Sequence, residues 1–250
     1  MFKFVAFDQA GYVREDAHGF DSHVFFGDRK AEGPGPQIYI NAVDPGVKLA
    51  AHFHRIDQFQ VFFGTEGAVF QRKPIPSVFV HYTDAYSSYG PFSAAPDAPL
   101  LYATIRAKSS NYGGVMPGAR TERPHVGRRQ LSKSVDGWQP SDFPGTGTYE
   151  TVEIFPRDQD GLAATLVRLG AGATYATPPT SATAGRAWCV LAGDILTSDQ
   201  SRGPRSIGWQ DHSDDDDDDV ATLTAGADGA SLIALDFPWP ATDTVTVDPT

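Results

Sequence analysis

The sequence predicts an all-β protein, and three observations indicate this class. The 250 residues include 25 Gly and 19 Pro, a content that suits short strands joined by tight turns. Apolar residues make up 40% and aromatic residues 12% of the chain, which favours strands packed around a core. Short apolar runs also alternate with clusters of turn-forming residues. A chain of this length has room for one large domain or two smaller ones.

The first half contains a series of predicted strands that becomes most regular after Gly46. Before that residue, the runs FKFVAF, HVFFG and QIYINAV are separated by Gly, Pro and Asp clusters, as expected for strands at the edge of a barrel. The alternation then sharpens through KLAAHFH, DQFQVFF and SVFVHY, with a turn flanked by Gly64 and Gly67. The run PLLYATIRA, from Pro99, is the last predicted strand of this half.

The chain is predicted to contain two barrels and a connector. Residues 107–148 have many turn formers and little periodicity, so we predict a barrel at 1–106, a connector at 107–148 and a second barrel at 149–250. Val190-Leu191-Ala192-Gly193 echoes Val61-Phe62-Phe63-Gly64, which indicates that one β-unit is repeated.

The net charge and the cysteine content narrow the classes of binding partner and the cellular compartment that we expect. The net charge is −11, and the run Asp214 to Asp219 contributes six of the negative charges as an expected flexible, solvated loop. An acidic chain is a poor nucleic-acid binder, so we expect no nucleic-acid partner. The lone Cys189 allows no intrachain disulfide, and the sequence has no signal-like or membrane-length apolar run. We therefore expect a soluble, cytoplasmic protein with no membrane partner.

Three histidines and one glutamine are candidate metal ligands. His52 and His54 share one face of a strand because successive side chains alternate. Gln58 has the same parity as His54 and joins the pair if the intervening bend preserves the direction, whereas His81 comes from another strand. Three imidazoles and an amide oxygen suit a divalent transition metal, namely Fe, Mn, Co, Ni, Cu or Zn. Asp57 is a rival ligand whose parity points it away.

The alternative interpretation is that the His-x-His pair is exposed polar surface and that His81 is a hydrogen-bonded residue at the rim. We also predict that Gln60 contacts a substrate or a metal ligand, and that Tyr82 or Tyr89 lines the mouth of a pocket. The sequence identifies no catalytic acid or base and no organic cofactor site.

The candidate ligands lie in a segment that resembles the cupin family. The first cupin motif, G-x5-H-x-H-x3,4-E-x6-G, matches Gly46, His52, His54 and, with Gln in the Glu position, Gln58, whereas Gly64 comes one residue early. The second motif, P-x-G-x2-H-x3-N, matches at Pro76 and His81 but has Val78 and Ala85 at its Gly and Asn positions. The resemblance implies two jelly-roll (double-stranded β-helix) barrels in tandem, and His52, His54, Gln58 and His81 as metal ligands.

The second half lacks the ligands of the first motif, since no His, Asp or Glu lies between Gly172 and Gly193. His212 occupies a position after Gly193 similar to that of His81 after Gly64, and we expect it to be structural or exposed. The resemblance therefore implies a bicupin with one intact site and one degenerate barrel.

The leading functional hypothesis is a metal-dependent oxidoreductase of the dioxygenase type that acts on a small organic molecule. An isomerase or lyase that uses the ion as a Lewis acid is an alternative. A third possibility is a cupin that binds a small ligand or a metal without turnover, which the replacement of Glu by Gln58 favours, and a fourth is a structural or storage protein. We expect a homodimer in each case, because the edges of jelly-roll sheets need covering.

Overall fold

The structure is a computed structural model that describes residues 2–15, 19–75, 77–124, 128–197, 200–214 and 220–240. Within these residues the regular structure consists of β-strands and three short 3-10 helices, which confirms the predicted all-β class. No helix in this part of the chain is long and apolar enough to cross a membrane. Pro76 of the second motif and residues 215–219 of the aspartate run lie outside the described residues.

The strands are mostly short, and the two longest lie in the second half of the chain. The 3-10 helices span Phe7–Gln9, Arg120–Glu122 and Pro140–Asp142. The strands are, in chain order, β1 Phe2–Val5, β2 Gly11–Glu15, β3 Phe20–Phe26, β4 Gln37–Val43, β5 Lys48–Leu49, β6 His52–His54, β7 Gln58–Phe63, β8 Val69–Phe70, β9 Lys73–Pro74, β10 Val78–Thr83, β11 Phe92–Ser93, β12 Leu100–Arg106, β13 Gly113–Val115, β14 Gln130–Ser134, β15 Tyr149–Phe155, β16 Ala163–Leu169, β17 Thr174–Ala176, β18 Arg186–Thr197, β19 Gln200–Arg202, β20 Ile207–Gln210 and β21 Thr222–Asp236.

Two compact units make up the chain, and their bounds differ from the predicted boundaries at 106 and 149. The first unit spans Gly11–Ser134, and the second combines Met1–Ala10 with Val135–Ala241. Strand β1 belongs to the second unit because it pairs with β20. Part of the predicted connector belongs to the first unit because β14 pairs with β10.

The first unit is built around a seven-stranded antiparallel sheet with the order β14-β10-β7-β12-β4-β3-β2. A four-stranded sheet, β5-β11-β8-β9, and the two-stranded ribbon of β6 and β13 are the other sheets described for this unit. The ring of Phe62 on β7 lies 5.3 Å from that of Tyr102 and 5.4 Å from that of Phe92. Because side chains alternate along β7, Gln58 and Gln60 point to the same side as this aromatic core.

The second unit contains one sheet with the order β1-β20-β18-β21-β16-β15, to which β17 and β19 add at β21 and β18. Strand β18 lies between β20 and β21, just as β7 lies between β10 and β12, so the two segments that echo each other in sequence occupy similar places. Gly193 has φ +66°, and a Cβ there would lie 2.1 Å from the carbonyl oxygen of Gly229. Only glycine fits this bulged position.

Candidate functional site

The ribbon of β6 and β13 presents two histidines on one side. His52 and His54 flank Phe53, which is fully buried on the opposite face. The two imidazole rings lie with their centroids 5.2 Å apart. Strand alternation therefore brings both rings to the same face of the ribbon, as their spacing predicts.

Hydrogen bonds fix the protonation of both rings. The Nδ1 atom of His52 lies 2.8 Å from the carbonyl oxygen of Ala50, and that of His54 lies 2.6 Å from the carbonyl oxygen of Tyr112. A carbonyl oxygen only accepts hydrogen bonds, so each Nδ1 carries the proton and each Nε2 carries a lone pair. Burial lowers the pKa of both imidazoles, and the positive charge of Arg106 lowers it further, so both rings are neutral.

His81 lies on β10, in a row of side chains that crosses three strands of the large sheet. It stands opposite Gln60 on β7, which in turn stands opposite Thr104 on β12. The Nδ1 atom of His81 lies 2.7 Å from the hydroxyl of Ser132, whereas its Nε2 and Oε1 of Gln60 are buried without a hydrogen-bond partner. Burial lowers the pKa of His81 to about 4, so this ring is also neutral.

Gln58 faces a buried guanidinium. Its Oε1 atom accepts hydrogen bonds from Nε and an Nη atom of Arg106, at 3.2 and 3.1 Å. Arg106 is 2% exposed and also donates to Oε1 of Gln37 at 2.5 Å and to the carbonyl of Ser110 at 2.7 Å. The amide oxygen, which is the ligating atom of a glutamine, is therefore engaged by a cation. Asp57, the rival ligand, accepts a hydrogen bond from the backbone N–H of Ala85 at 2.7 Å.

Tyr89 is the neighbour that all three histidines share. Its ring centroid lies 4.5 Å from that of His52, 5.6 Å from that of His81 and 6.3 Å from that of His54. Burial raises the pKa of this phenol, so the hydroxyl is protonated and donates to Nε2 of His52 over 2.8 Å. The phenol ring thus links the two histidines of the ribbon to His81 on the large sheet.

A cavity of about 430 Å³ opens beside this cluster and is lined by His52, His54 and Tyr89. Its volume lies within the range of small-molecule pockets. Gln60 and His81, on β7 and β10, are outside its lining. The predicted wall residue Tyr89 therefore lines the cavity, whereas Gln60 does not.

Tyr82, the other predicted wall residue, points away from the cavity. It follows His81 directly in β10, so alternation places it on the opposite face of the sheet. Its ring packs 4.8 Å from that of Phe59, and its hydroxyl donates to the carboxylate of Asp84 over 2.9 Å. The sequence proximity of Tyr82 to His81 does not bring it to the pocket.

The types of donor atom suit a transition metal, but their positions in this structure do not form a metal centre. No group of three His, Cys, Asp or Glu side chains in the part of the chain that the structure describes forms a ready metal centre. The Nε2 atoms of His52 and His54 nevertheless carry lone pairs, and Nε2 of His81 is buried without a partner. An ion bound by all three rings requires the hydroxyl of Tyr89 to leave His52.

The second unit has a buried polar row of its own. Arg186 on β18 stands opposite Gln210 on β20 and Asp236 on β21. Nε of Arg186 donates to Oδ1 of Asp236 at 2.5 Å, so the row closes with an ion pair. His212 stacks on Trp239 at 3.9 Å, and its Nδ1 contacts the carbonyl of Thr183 at 2.8 Å, which is a structural role.

Two polar residues of the first unit, Arg106 and Ser132, were not among the candidates from the sequence. Arg106 ends the run LLYATIR and has the same parity as Thr104, so alternation could have placed it inside the barrel. Ser132 reaches His81 only through the pairing of β14 with β10, and no local sequence signal marks that pairing.

Comparison with protein-family models and with curated proteins gives no match to this sequence. Solved structures do match. A protein of Nostoc punctiforme described as a candidate dioxygenase has a TM-score of 0.67 at 10% identity, covering 100% of this chain and 87% of its own. The pirin YhhW of Escherichia coli, in complex with nickel(II), has a TM-score of 0.56 at 13% identity, covering 95% of this chain and 99% of its own.

Salicylate 1,2-dioxygenase of Pseudoaminobacter salicylatoxidans, with gentisate adducts, has a TM-score of 0.54 at 11% identity, covering 94% of this chain and 81% of its own. Identities this low establish the fold alone. The predicted cupin fold, with jelly-roll barrels in tandem, is confirmed.

Proposed function

We propose that the chain is a metal-dependent cupin enzyme of the dioxygenase type, which acts on a small organic molecule in the cavity of the first unit. The hydrogen bonding of the imidazoles carries the proposal. His52 and His54 are each held through Nδ1 by a backbone carbonyl, and His81 by the hydroxyl of Ser132. Such contacts orient metal-binding histidines and leave Nε2 as the ligating atom.

Three neutral imidazoles form a nitrogen-rich donor set that suits Fe, Mn, Co, Ni, Cu or Zn. Gln58 would be a fourth ligand only if its amide oxygen exchanged Arg106 for the ion. A bound ion supplies Lewis acidity and open positions for substrate and O₂. His52 and His54 line the cavity, so a substrate there lies beside their imidazole rings.

Tyr89 has two roles in this proposal. In the structure its hydroxyl caps Nε2 of His52, and its ring lies 5.6 Å from that of His81, which is outside the cavity lining. When the side chain withdraws, the phenol keeps its proton, because even an exposed tyrosine has a pKa of about 10. It is then a hydrogen-bond donor at the edge of the cavity, suited to orient an oxygen atom of the substrate.

The solved neighbours support the proposal through what they contain. One is described as a candidate dioxygenase, one is a salicylate dioxygenase and one holds nickel(II). The fold is compatible with this chemistry and does not specify it.

The second candidate function is a cupin that binds a small ligand without turnover. The lining of the cavity favours it, because no Asp or Glu is among the described residues there. Gln58, in the Glu position of the motif, supplies no negative charge and no base. An isomerase or lyase would need the same ion and also a base.

Two measurements test the proposed enzyme against the non-catalytic alternative: metal binding, which needs no assay of turnover, and oxygen uptake by the metal-loaded protein. Metal-free protein is titrated with Co(II) or Ni(II) by calorimetry, and oxygen uptake of the loaded protein is then followed with phenols, diketones and hydroxy acids. We expect one ion per chain. His52→Ala should remove it, whereas Tyr89→Phe should strengthen binding because the hydroxyl no longer competes for Nε2.

His23→Ala is the matched control, since this partly buried histidine lies on β3 and outside the cavity lining. Equal binding by wild type, H52A and H23A, or no binding by any of them, would overturn the metal site. Metal binding without oxygen uptake on any substrate would favour the second candidate. A homodimer and a cytoplasmic location stay predictions, the first of which sedimentation velocity would measure.

A further inference from the structure

The cavity of the first unit is basic although the chain as a whole is acidic. The chain has a net charge of −11, yet the described lining of the cavity includes Arg29 and Lys48 and no Asp or Glu. A small cavity with cationic walls inside an acidic protein selects anions.

Arg29 is held in place by its neighbours. Its guanidinium lies 5.1 Å from the ring centroid of Phe20 and 4.8 Å from that of Tyr39. An Nη atom donates to the hydroxyl of Ser22 at 2.5 Å, and that hydroxyl donates to Oδ1 of Asn41 at 2.6 Å. These contacts fix the plane of the guanidinium before a ligand arrives, which reduces the entropy lost on binding.

A second guanidinium adds positive charge behind the wall. Arg106 is 2% exposed and lies 5.8 Å from the ring centroid of Tyr39. Its hydrogen bonds go to neutral acceptors, namely Gln58, Gln37 and the carbonyl of Ser110.

The rest of the lining is apolar and largely aromatic. Phe20, Tyr39, Tyr89 and Tyr102 contribute rings, and Leu49 contributes an aliphatic side chain. Flat apolar walls favour a flat apolar ligand body. The cavity thus combines a cationic group for one end of a ligand with aromatic surface for the other.

We infer that the cavity binds a small aromatic carboxylate, whose carboxylate group is recognised by Arg29 with Lys48 at the exposed edge. A planar guanidinium matches the two oxygens of a carboxylate and can donate to both. This inference rests on the proposed function because it names the substrate class of that enzyme. Binding of the carboxylate itself needs only the side chains of this chain and no metal ion.

The test uses benzoate and its neutral analogue benzamide as probes, with calorimetry or ligand-detected NMR on the full chain. The protein is measured both after chelator treatment and after loading with Co(II). We expect benzoate to bind in both states. Benzamide should bind at least about tenfold more weakly, because only the carboxylate forms a charge-assisted hydrogen bond with the guanidinium.

Three variants locate the contact. Arg29→Gln should weaken benzoate binding at least about tenfold while leaving benzamide binding unchanged. Lys48→Gln changes an exposed side chain and should weaken benzoate binding without a risk to the fold. Arg72→Gln, at an exposed turn of the same unit and outside the lining, is the control and should have no effect.

Equal affinity for benzoate and benzamide, or benzoate binding that R29Q and K48Q leave unchanged, would overturn the inference. Benzoate binding by a protein that takes up no metal would leave the carboxylate site intact and refute only the proposed enzyme. Metal uptake with no preference for benzoate would refute the carboxylate site and leave the metal site standing.

Discussion

Replacing Asp236 by Asn should destabilise the second unit strongly. Arg186 is 1% exposed and Asp236 is 5% exposed, and their ion pair spans 2.5 Å between strands β18 and β21. Asparagine keeps the shape of the side chain and removes the charge, so a buried guanidinium loses its counter-ion. Breaking a buried pair in this way typically costs about 3 to 5 kcal/mol.

A second partner adds little to this cost. Arg157 also pairs with Asp236, but its side chain is 45% exposed, so water screens the pair and we assign it less than about 1 kcal/mol. Asparagine keeps one acceptor oxygen for Arg186, so we expect the loss in unfolding free energy to lie near the lower end of this range, at about 3 kcal/mol. With a urea m-value of about 2 kcal/mol/M, the unfolding midpoint should fall by about 1.5 M.

Tryptophan fluorescence reports this change selectively. The chain has four tryptophans, and all of them lie within Val135–Ala241 of the second unit. Urea unfolding followed by tryptophan emission therefore measures the second unit, and binding of Co(II) measures the first. We expect D236N to lower the fluorescence midpoint while the metal affinity at low urea stays at the wild-type value.

Glu150→Gln is the matched control, because Glu150 is 57% exposed and pairs with Arg168 at 2.6 Å. Its midpoint should change by less than about 0.5 M, since exposed pairs contribute about 0 to 1 kcal/mol. An equal shift for D236N and E150Q would refute the reasoning. The double variant Arg186→Met with Asp236→Leu should be more stable than D236N, since no buried charge remains unpaired.

Two further predictions concern the first unit. A Cβ at Gly114 would lie 2.3 Å from Cζ of Phe53. Gly114→Ala should therefore displace the strand that carries His52 and His54 and weaken Co(II) binding, measured by calorimetry, by about tenfold. Gly118→Ala is the control, because the nearest atom to a Cβ there is 3.7 Å away, and it should leave Co(II) binding unchanged. Burial lowers the pKa of His81 to about 4, below the ordinary value of about 6.5, so the neutral ring stabilises the fold above pH 6.5. Up to about 3 kcal/mol is lost as the pH falls toward 4, of which about 2 kcal/mol is lost by pH 5. Urea unfolding of metal-free protein, followed by circular dichroism at pH 7 and pH 5, should show a loss of about 2 kcal/mol, and an equal loss in His81→Gln would contradict it.

Local periodicity predicted the strands around the site and the direction of several side chains. Alternation along one strand is enough to place His52 and His54 on a common face. It is also enough to put Gln58 and Gln60 on the inner face of β7, where both are buried. These statements concern residues at most a few positions apart, for which the backbone alone sets the geometry.

Contacts between distant strands could not be predicted in the same way. Gln58 meets Arg106 across 48 positions, and His81 meets Ser132 across 51. Such contacts depend on strand order and register, which one sequence does not specify. The same limit applies to Tyr89, whose hydroxyl reaches His52 from a turn 37 positions away. The resemblance in sequence therefore suggested the histidines and gave no sign of the phenol between them.

The two buried polar rows differ in how well their side-chain atoms are hydrogen-bonded. In the second unit, the row of Arg186 closes through its ion pair with Asp236. In the first unit, Oε1 of Gln60 and Nε2 of His81 are buried without partners. Each such atom costs about 1 to 3 kcal/mol relative to a satisfied one, and an ion or a ligand atom that bonds to them recovers part of that energy. The stability deficit of the first row is thus available as binding energy. In the second unit the polar row is satisfied by its ion pair, and the unpartnered atom on the same strand, Nε1 of Trp188, lies outside that row.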